Sequence, residues 1–251
     1  AGGRGTPSAY DRKGFAAQHA AFAAAGVRGA RSNDDAIGGA RLILSLVTAD
    51  QAVVAAEESA RAIGAGTLYC DANSVAPTTK AQAAAFIEDR GAHYVDMAIM
   101  APVHPLGLAV PLLLAGPRAE EARAALSAVG FSNIAIAGHE VGQAAAIKML
   151  RSVMIKGIEA LSIELAAAAD VAGVRGAVVA SLDAGWARDI GWGARIEGAI
   201  ERVARHGLRR AAEMDEVAAM LAGLGVDHRM ALATAAKQRA GAAACQQGQA
   251  A

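Results

Sequence analysis

The sequence predicts an α/β domain with a doubly wound sheet, followed by an all-α domain. Up to about residue 137, short apolar runs alternate with helical stretches, a pattern typical of a parallel sheet with crossover helices. After Gly138 no convincing strand pattern remains, and long Ala-rich stretches predict helices. We therefore expect one domain over residues 1–137 and a helical domain over residues 138–251.

Each predicted strand is a short apolar run bounded by polar or Gly-containing segments. Arg41–Thr48 is a continuous apolar run, as expected when both faces of a sheet are covered. In chain order, the predicted strands are Ser8–Tyr10, Arg41–Thr48, Thr67–Asp71, His93–Asp96 with the apolar Met97–Val103 after it, Val110–Ala115 and Ser132–Ile136.

Helices are predicted where the chain allows several uninterrupted turns. Pro77 begins one, because Pro is favoured in the first helical turn. The stretch Glu140–Ala169 contains no Pro, which suits one long helix. The predicted helices are Gly14–Ala25, Asp50–Ile63, Pro77–Arg90, Glu120–Val129, Glu140–Ala169, Arg195–Arg205, Leu208–Leu221 and His228–Ala240; Ala177–Val179 suits a strand or a helix, and the tail from Gly241 is expected to fray.

Composition narrows the classes of partner. The 24 Lys and Arg residues balance 24 Asp and Glu residues, so no basic excess points to nucleic acid or a membrane surface. No apolar run is long and clean enough to span a bilayer. Cys70 and Cys245 do not suggest a disulfide framework or a metal site, which favours a reducing, cytoplasmic compartment. We therefore expect a small-molecule ligand and no nucleic acid, membrane or metal.

Lys148 is the most informative residue, because it lies in an otherwise apolar helical stretch. A Lys there is costly unless its ammonium reaches water, a partner or a ligand. Ser152 lies four residues further on and shares its helical face. A cationic donor and a hydroxyl at the junction of two differently patterned halves suit an enzyme cleft. The alternative is a Lys that snorkels from a partly exposed helix.

The carboxyl ends of strands in open α/β sheets are the usual ligand sites. After the first strand, Asp11 could accept a hydrogen bond from a ribose 2′-hydroxyl and Arg12 could bind a 2′-phosphate, or the two are an ordinary loop pair. After the second strand, Leu46, Val47 and Thr48 offer an apolar surface and a hydroxyl, which suit a nucleobase or a nicotinamide ring.

Two further strand ends carry polar groups. The segment Asp71–Pro77 contains Asn73 and Ser74, and it suits either a ligand contact or helix capping. The segment Asp96–Pro105 is an apolar loop interrupted by Pro and carries His104.

Along nearly its whole length the chain resembles the β-hydroxyacid dehydrogenase superfamily, which includes 3-hydroxyisobutyrate and 6-phosphogluconate dehydrogenases. Asp71–Pro77 resembles the family's Asp-x-Ser-Thr-x-x-Pro turn. Asp96–Pro102 stands in place of Asp-Ala-Pro-Val-Ser-Gly-Gly, and Gly142–Ser152 in place of Gly-x-Gly-x-x-x-Lys-x-x-x-Asn. Within the superfamily, the sequence looks closest to a poorly characterised, 6-phosphogluconate-dehydrogenase-like branch. Three segments carry this similarity: Met-Ala-Pro-Val, Pro-Leu-Leu-Leu-Ala-Gly and Arg209–Met214.

The resemblance implies a Rossmann-like fold, an NAD- or NADP-dependent oxidoreductase, a hydroxy acid or related carbonyl as substrate, and a homodimer. Lys148 would be the general acid/base. The cofactor would contact Asp11, Arg12, Leu46, Val47, Thr48 and Ser74, and the substrate would contact Asn73, Met100, Ala101, Pro102, His104 and Ser152. Asp11 argues for NAD, whereas Arg12 and Lys13 argue for NADP.

The chain departs from the family pattern in its substrate loop. Met100, Ala101 and Pro102 replace Ser-Gly-Gly, whose hydroxyl and amides hold a carboxylate in the family, and Pro102 has no amide proton. Ala144 replaces the second Gly of the Lys motif. We therefore expect a bulkier or less polar substrate, with His104 as either a new polar contact or a surface residue.

The N-terminal segment Ala1–Gly5 does not match the strand and Gly-x-Gly-x-x-Gly loop that bind pyrophosphate in the family. We interpret this segment as the end of the first helix, with the first βα unit missing. On this interpretation, the chain as given binds cofactor weakly or not at all, although its parent protein is an enzyme.

Two alternatives remain open at this point. A non-catalytic or cofactor-deficient scaffold is favoured by the altered loops and opposed by Lys148. Imine reduction is performed by relatives of this fold, and Trp186, Trp192 and Asp183 would then shape an aromatic pocket. Core or dimer-contact roles also suit these three residues.

Overall fold

The computed structural model describes residues 6–11, 15–185 and 191–248. The chain divides into two compact units, Ala1–Ser152 and Val153–Ala251. The division lies inside the long helix that was predicted from Glu140, whereas the change of sequence pattern at Gly138 lies before that helix.

The first unit contains two sheets. Strands β1 (Ser8–Ala9) and β2 (Arg28–Gly29) form a short parallel ladder. The larger sheet has five strands in chain order: β3 (Leu42–Ser45), β4 (Leu68–Asp71), β5 (His93–Ile99), β6 (Leu112–Ala115) and β7 (Ile134–Gly138).

Strands β3, β4 and β5 are parallel, as predicted, but β6 runs antiparallel to β5. The predicted doubly wound sheet is therefore parallel-rich, with one antiparallel pair at β5 and β6. The connection between β5 and β6 contains only the short helix α5 (Val103–Leu106) and a 3-10 turn, Gly107–Ala109. A parallel return needs a longer crossover, so this short connection favours an antiparallel neighbour.

Helices of the first unit occur where the sequence predicts them, with two short additions, α2 and the four-residue α5. They are α1 (Phe15–Ala24), α2 (Asn33–Ile37), α3 (Ala52–Ala60, after a 3-10 turn at Ala49–Gln51), α4 (Pro77–Glu88), α6 (Ala119–Val129) and the start of α7 (Gln143–Val171). The prediction missed α2, which is only five residues long. Ser32 caps it, because its Oγ accepts from Asp35 N at 3.1 Å.

Both faces of the five-stranded sheet are covered, which explains its apolar strands. On one face, Tyr69 and Tyr94 pack with residues of α3 and α4, and their rings stack with centroids 6.0 Å apart. On the other face, Cys70, Val95 and Leu126 belong to a cluster with α6. Every side chain of β4 is buried, so β4 and its carboxyl end are central to this unit.

The start of α7 lies close to the sheet and to the turn between β4 and α4. Gly142 has a φ of +101°, and a Cβ there would lie 2.9 Å from Cβ of Pro77. Ala144 is fully buried and packs with Ala98 and Ala115. Small residues therefore permit the close approach of this helix.

The second unit consists of the remainder of α7 with α8 (Arg175–Gly185), α9 (Trp192–Gly223) and α10 (Arg229–Gly248). The two helices predicted over 195–205 and 208–221 are one helix, Ala177–Val179 is helical, and the tail predicted to fray is helical as far as Gly248. Helices α9 and α10 pack closely at Gly207, where a Cβ would lie 2.4 Å from the Gln238 carbonyl oxygen.

In the described part of the chain, we find no helix with both the length and the apolar character needed to cross a membrane.

Replacing Gly142 by Ala should lower the free energy of unfolding by about 2 to 4 kcal/mol, because a Cβ is strained at positive φ and collides with Pro77. Chemical denaturation measures this change. Gly157→Ala, inside α7, is the control, because the added Cβ there meets no neighbouring atom within 4 Å. It should be neutral or stabilising by up to about 1 kcal/mol. Equal stabilities of the two variants would contradict the packing described here.

Candidate active site

The carboxyl ends of β3, β4 and β5 lie at the same edge of the sheet, because these strands are parallel neighbours. Asn73 joins two of these ends. Its Oδ1 accepts from Val47 N at 2.6 Å, and its Nδ2 donates to Ser45 Oγ at 3.0 Å. Asn73 is buried, so its amide connects the segments 46–48 and 71–77 and holds both in place.

Helix α7 brings Lys148 to this edge. The Lys148 ammonium donates to Ser74 Oγ at 2.8 Å, across a separation of 74 residues. Ser74 is exposed and Lys148 is half-buried. The structure thus joins two residues that the sequence analysis assigned to different parts of one site.

Asp96 holds the first turn of α7 against the sheet. One of its carboxylate oxygens, Oδ2, accepts from the backbone amides of Gly142 and Ala145, both at 3.0 Å. The first amides of a helix have no acceptors within the helix, and the helix N-terminus favours a negative charge. Lys148 follows Ala145 within one helical turn, so Asp96 determines where Lys148 begins its reach toward Ser74.

A buried ionic group connects Asp96 with the carboxyl end of β4. The Lys80 ammonium lies 3.1 Å from Asp71 Oδ1 and 3.4 Å from Asp96 Oδ1, and it donates to the Asp71 carbonyl oxygen at 2.5 Å. Tyr94 donates its hydroxyl hydrogen to Asp71 Oδ2. The side chains of Lys80, Asp71 and Asp96 have no solvent-exposed surface.

Burial raises the pKa of Tyr94, and the neighbouring Asp71 carboxylate raises it further. Tyr94 is therefore a protonated donor at physiological pH. Burial likewise raises the pKa of the Cys70 thiol to about 12. Cys70 is a free cysteine buried in the core.

Lys80 and Tyr94 were missed by the sequence analysis. A signal for Lys80 was present, since Lys80, Ala83, Ala84 and Ile87 follow the spacing of one helical face and all four are buried. A Lys on an apolar stripe near two strand-end carboxylates was therefore a candidate for a buried ion pair.

The cofactor residues predicted from sequence lie partly at this edge. Leu46 is 62% exposed although it is large and apolar, and Thr48 is exposed beside it. Asp11 is half-buried and follows β1. Arg12 and Lys13 lie outside the described residues, as does Trp186.

The predicted substrate residues follow β5. Met100 and Ala101 are half-buried, whereas Pro102 and His104 are exposed. The Met100 amide donates to the Pro111 carbonyl oxygen at 2.9 Å. This amide hydrogen is therefore already bonded next to the antiparallel pair of β5 and β6. Ser152 Oγ donates to the Lys148 carbonyl oxygen at 3.0 Å, which leaves its lone pairs as acceptors. Asp183 is exposed on α8, and nothing is described of the Trp192 side chain.

The described residues contain no group of three or more His, Cys, Asp or Glu side chains that could hold a metal ion. The site instead offers an exposed apolar surface at Leu46, hydroxyls at Thr48 and Ser74, and the Lys148 ammonium. A flat, partly apolar nicotinamide ring with an adjoining ribose fits this set of groups.

Two family models match the chain. The NAD binding domain of 6-phosphogluconate dehydrogenase matches residues 6–104, and a domain of unknown function, DUF1932, matches residues 169–241. A comparison with curated proteins finds no match.

Solved structures of related proteins cover most of the chain. A conserved hypothetical protein from Sinorhizobium meliloti 1021 is 34% identical over 94% of this chain and 80% of its own, with a TM-score of 0.60. A conserved protein of unknown function, described as structurally similar to 3-hydroxyacid dehydrogenases, is 31% identical over 90% of this chain and 84% of its own, with a TM-score of 0.58.

A third structure supports the fold alone. The imine reductase from Myxococcus stipitatus in complex with NADP+ is 19% identical over 95% of this chain and 86% of its own, with a TM-score of 0.73. The fold class, the family resemblance and the NAD or NADP cofactor predicted from the sequence are confirmed. The chain belongs to the β-hydroxyacid dehydrogenase superfamily of NAD(P)-dependent oxidoreductases, in a branch that combines an NAD-binding domain of the 6-phosphogluconate dehydrogenase type with a DUF1932 domain.

Proposed function

We propose that the protein oxidises a carbinol carbon or reduces the corresponding carbonyl carbon of a hydroxy acid or a related, less polar compound. The observation that carries this proposal is the contact between Lys148 and Ser74 at the carboxyl edge of the sheet. NADP or NAD supplies or takes up the hydride when bound.

Lys148 is the general acid/base in this proposal. Its Nζ gives a proton to the substrate oxygen during reduction and receives one during oxidation, and its positive charge stabilises the developing oxyanion. Ser74 accepts a hydrogen bond from Nζ and so directs the ammonium toward the strand ends. Asn73 supports this arrangement by holding the Ser74 turn and the Val47 segment together.

Cofactor contacts are proposed for the segments that end β1, β3 and β4. Leu46, Val47 and Thr48 would face the nicotinamide with an apolar surface and a hydroxyl, and Ser74 would lie beside its ribose. Asp11 and Arg12 would contact the adenosine ribose or its 2′-phosphate. The position of Leu46 supports this assignment, because its exposed apolar side chain lies at the carboxyl end of β3, the sheet edge where Ser74 and Lys148 also meet.

The substrate loop supports a bulkier or less polar substrate than the small hydroxy acids whose carboxylate the family's Ser-Gly-Gly segment binds. The Met100 amide already donates within the sheet, and Pro102 has no amide hydrogen. The loop also exposes Val103 and Leu106, which favour an apolar substrate portion. His104 and Ser152 remain the proposed polar contacts.

Imine reduction is the second candidate function. It is favoured by the same loss of carboxylate-binding groups, because an imine substrate needs a proton donor and an apolar pocket but no carboxylate anchor.

A non-catalytic or cofactor-deficient scaffold of this fold is the third candidate function. Absence of turnover with every substrate tested would support it.

Lys148→Ala should lower kcat by about 10²- to 10⁴-fold, the usual contribution of a positioned general acid/base, with little change in cofactor affinity. The measurement is NAD(P)H absorbance during turnover by the native and variant proteins. Lys237→Ala, at an exposed position on α10, is the matched control and should leave kcat unchanged. A Lys148→Ala enzyme with near-normal kcat would exclude the proposed role.

Substrate choice can be tested by restoring the family segment. The triple substitution Met100→Ser, Ala101→Gly and Pro102→Gly should improve kcat/KM for small hydroxy acids about 10- to 100-fold. This is the increase expected when new hydrogen bonds to a substrate carboxylate are formed. The native chain should prefer bulkier or less polar substrates, ketones or imines among them, to small hydroxy acids. A native chain that prefers small hydroxy acids would refute the assignment of this loop.

A homodimer is proposed from the resemblance and from exposed apolar residues of the second unit. Four apolar residues are exposed at the end of α7, on α8 and in the turn between them: Val171, Val174, Val179 and Leu182. We expect light scattering to give twice the mass of one chain, and Val179→Glu to shift the protein toward the monomer. Val54→Glu, at an exposed position on α3, is the control and should not. A monomeric native protein would contradict the proposal.

A further inference from the structure

Lys80 is the centre of a buried ionic cluster with Asp71 and Asp96. Through these two carboxylates the cluster is connected to both Lys148 and Ser74. The Lys80 ammonium has no access to solvent, and its contacts are the Asp71 carboxylate, the Asp71 carbonyl oxygen and the Asp96 carboxylate. A buried ammonium is costly unless it is paired and hydrogen-bonded. These contacts must therefore be kept while the fold is intact.

The first connection runs from Lys80 through Asp96 to α7. Asp96 Oδ1 faces the ammonium at 3.4 Å, and Asp96 Oδ2 accepts from the amides of Gly142 and Ala145. Lys148 is on the turn of helix that these amides begin. The position of Lys148 thus follows from the position of the Asp96 carboxylate.

The second connection runs from Lys80 through Asp71 to Ser74. Asp71 Oδ1 lies 3.1 Å from the ammonium and also accepts from Asn73 N at 2.8 Å. The Asn73 side chain then holds Ser45 and Val47. The turn that carries Ser74 is therefore tied to the same ammonium as the helix that carries Lys148.

Asp96 depends on Lys80 more strongly than Asp71 does. Within the described part of the chain, Asp96 Oδ1 is buried and has no hydrogen-bond partner, so the ammonium at 3.4 Å is its charge-balancing contact. Asp71, in contrast, also accepts from Tyr94 and from Asn73. Loss of the Lys80 charge would leave a buried carboxylate unbalanced at the start of α7.

We propose that Lys80 and Asp96 are positioning residues that fix the Lys148 ammonium relative to Ser74. The expected effect on turnover rests on the proposed function of Lys148. The expected effect on the position of Lys148 rests only on the contacts described above. Both side chains are fully buried, so neither offers a surface to substrate or cofactor. A misplacement of a catalytic group by about 1 Å can lower turnover about 10²-fold, so this buried pair acts on catalysis at a distance.

Asp96→Asn is the main test, because it keeps the shape and an oxygen acceptor for the α7 amides while removing the charge that faces Lys80. Lys80→Met is the second variant and removes the other charge. Thr67→Val is the matched control. Thr67 is buried at the opposite end of β4, where its hydroxyl donates to the Ala40 carbonyl oxygen at 3.0 Å.

Two readouts separate positioning from general stability. With isotope-labelled lysine, the side-chain NMR signal of Lys148, assigned by its loss in Lys148→Ala, reports the surroundings of the ammonium without turnover. The pH profile of kcat and the separate values of kcat and KM report the effect on catalysis. We expect Asp96→Asn, while folded, to shift the Lys148 signal, to lower kcat at least tenfold and to leave the KM for cofactor unchanged.

Lys80→Met, if it folds, should show the same shift of the Lys148 signal and the same fall in kcat. Thr67→Val should show neither of these two changes. A folded Asp96→Asn protein with the native Lys148 signal and native kcat would overturn the proposal, as would an equal effect of Thr67→Val. Should the native protein show no turnover at all, the proposed function fails. The Lys148 signal then still decides whether Lys80 and Asp96 position this side chain.

Discussion

The carboxylate of Asp96 is the interaction on which the geometry of the candidate site depends. It lies on a central strand, is fully buried, and binds two backbone amides at the start of α7. A helix that is held only by apolar packing can slide, whereas two amides bound to one carboxylate oxygen determine its position and rotation. Lys148, on the same turn, is therefore placed by a contact with the core of the sheet.

The buried charges around Asp96 explain why such a contact persists. An isolated buried carboxylate costs several kcal/mol, and the Lys80 ammonium offsets this cost for both Asp96 and Asp71. Burial and Asp71 together raise the pKa of Tyr94, which remains a hydrogen-bond donor to Asp71. Small residues complete the arrangement, since Gly142 and Ala144 let α7 approach the turn at Pro77 and the alanines of β5 and β6.

The family fold is retained around a changed substrate loop. The Lys148–Ser74 contact lies at the carboxyl edge of the sheet, where the segment Leu46–Thr48 also follows its strand. The segment Met100–Pro102 lacks the donors that hold a carboxylate in the family, and one of its amides is used by the sheet. Under the proposed function, proton transfer by Lys148 is therefore combined with altered substrate recognition in this chain.

Local patterns in the sequence determined the alternation of strands and helices, the position of Lys148 in a helix, and the strand-end segments that contain Leu46 and Ser74. These features were predictable because periodicity and chain order are properties of neighbouring residues. The direction of β6 and the role of Lys80 were decided only by tertiary structure. Lys80 meets Asp71 and Asp96 because β4 and β5 pair in register and α4 packs on them, and a lone Lys in a helical pattern does not reveal which distant carboxylates will surround it.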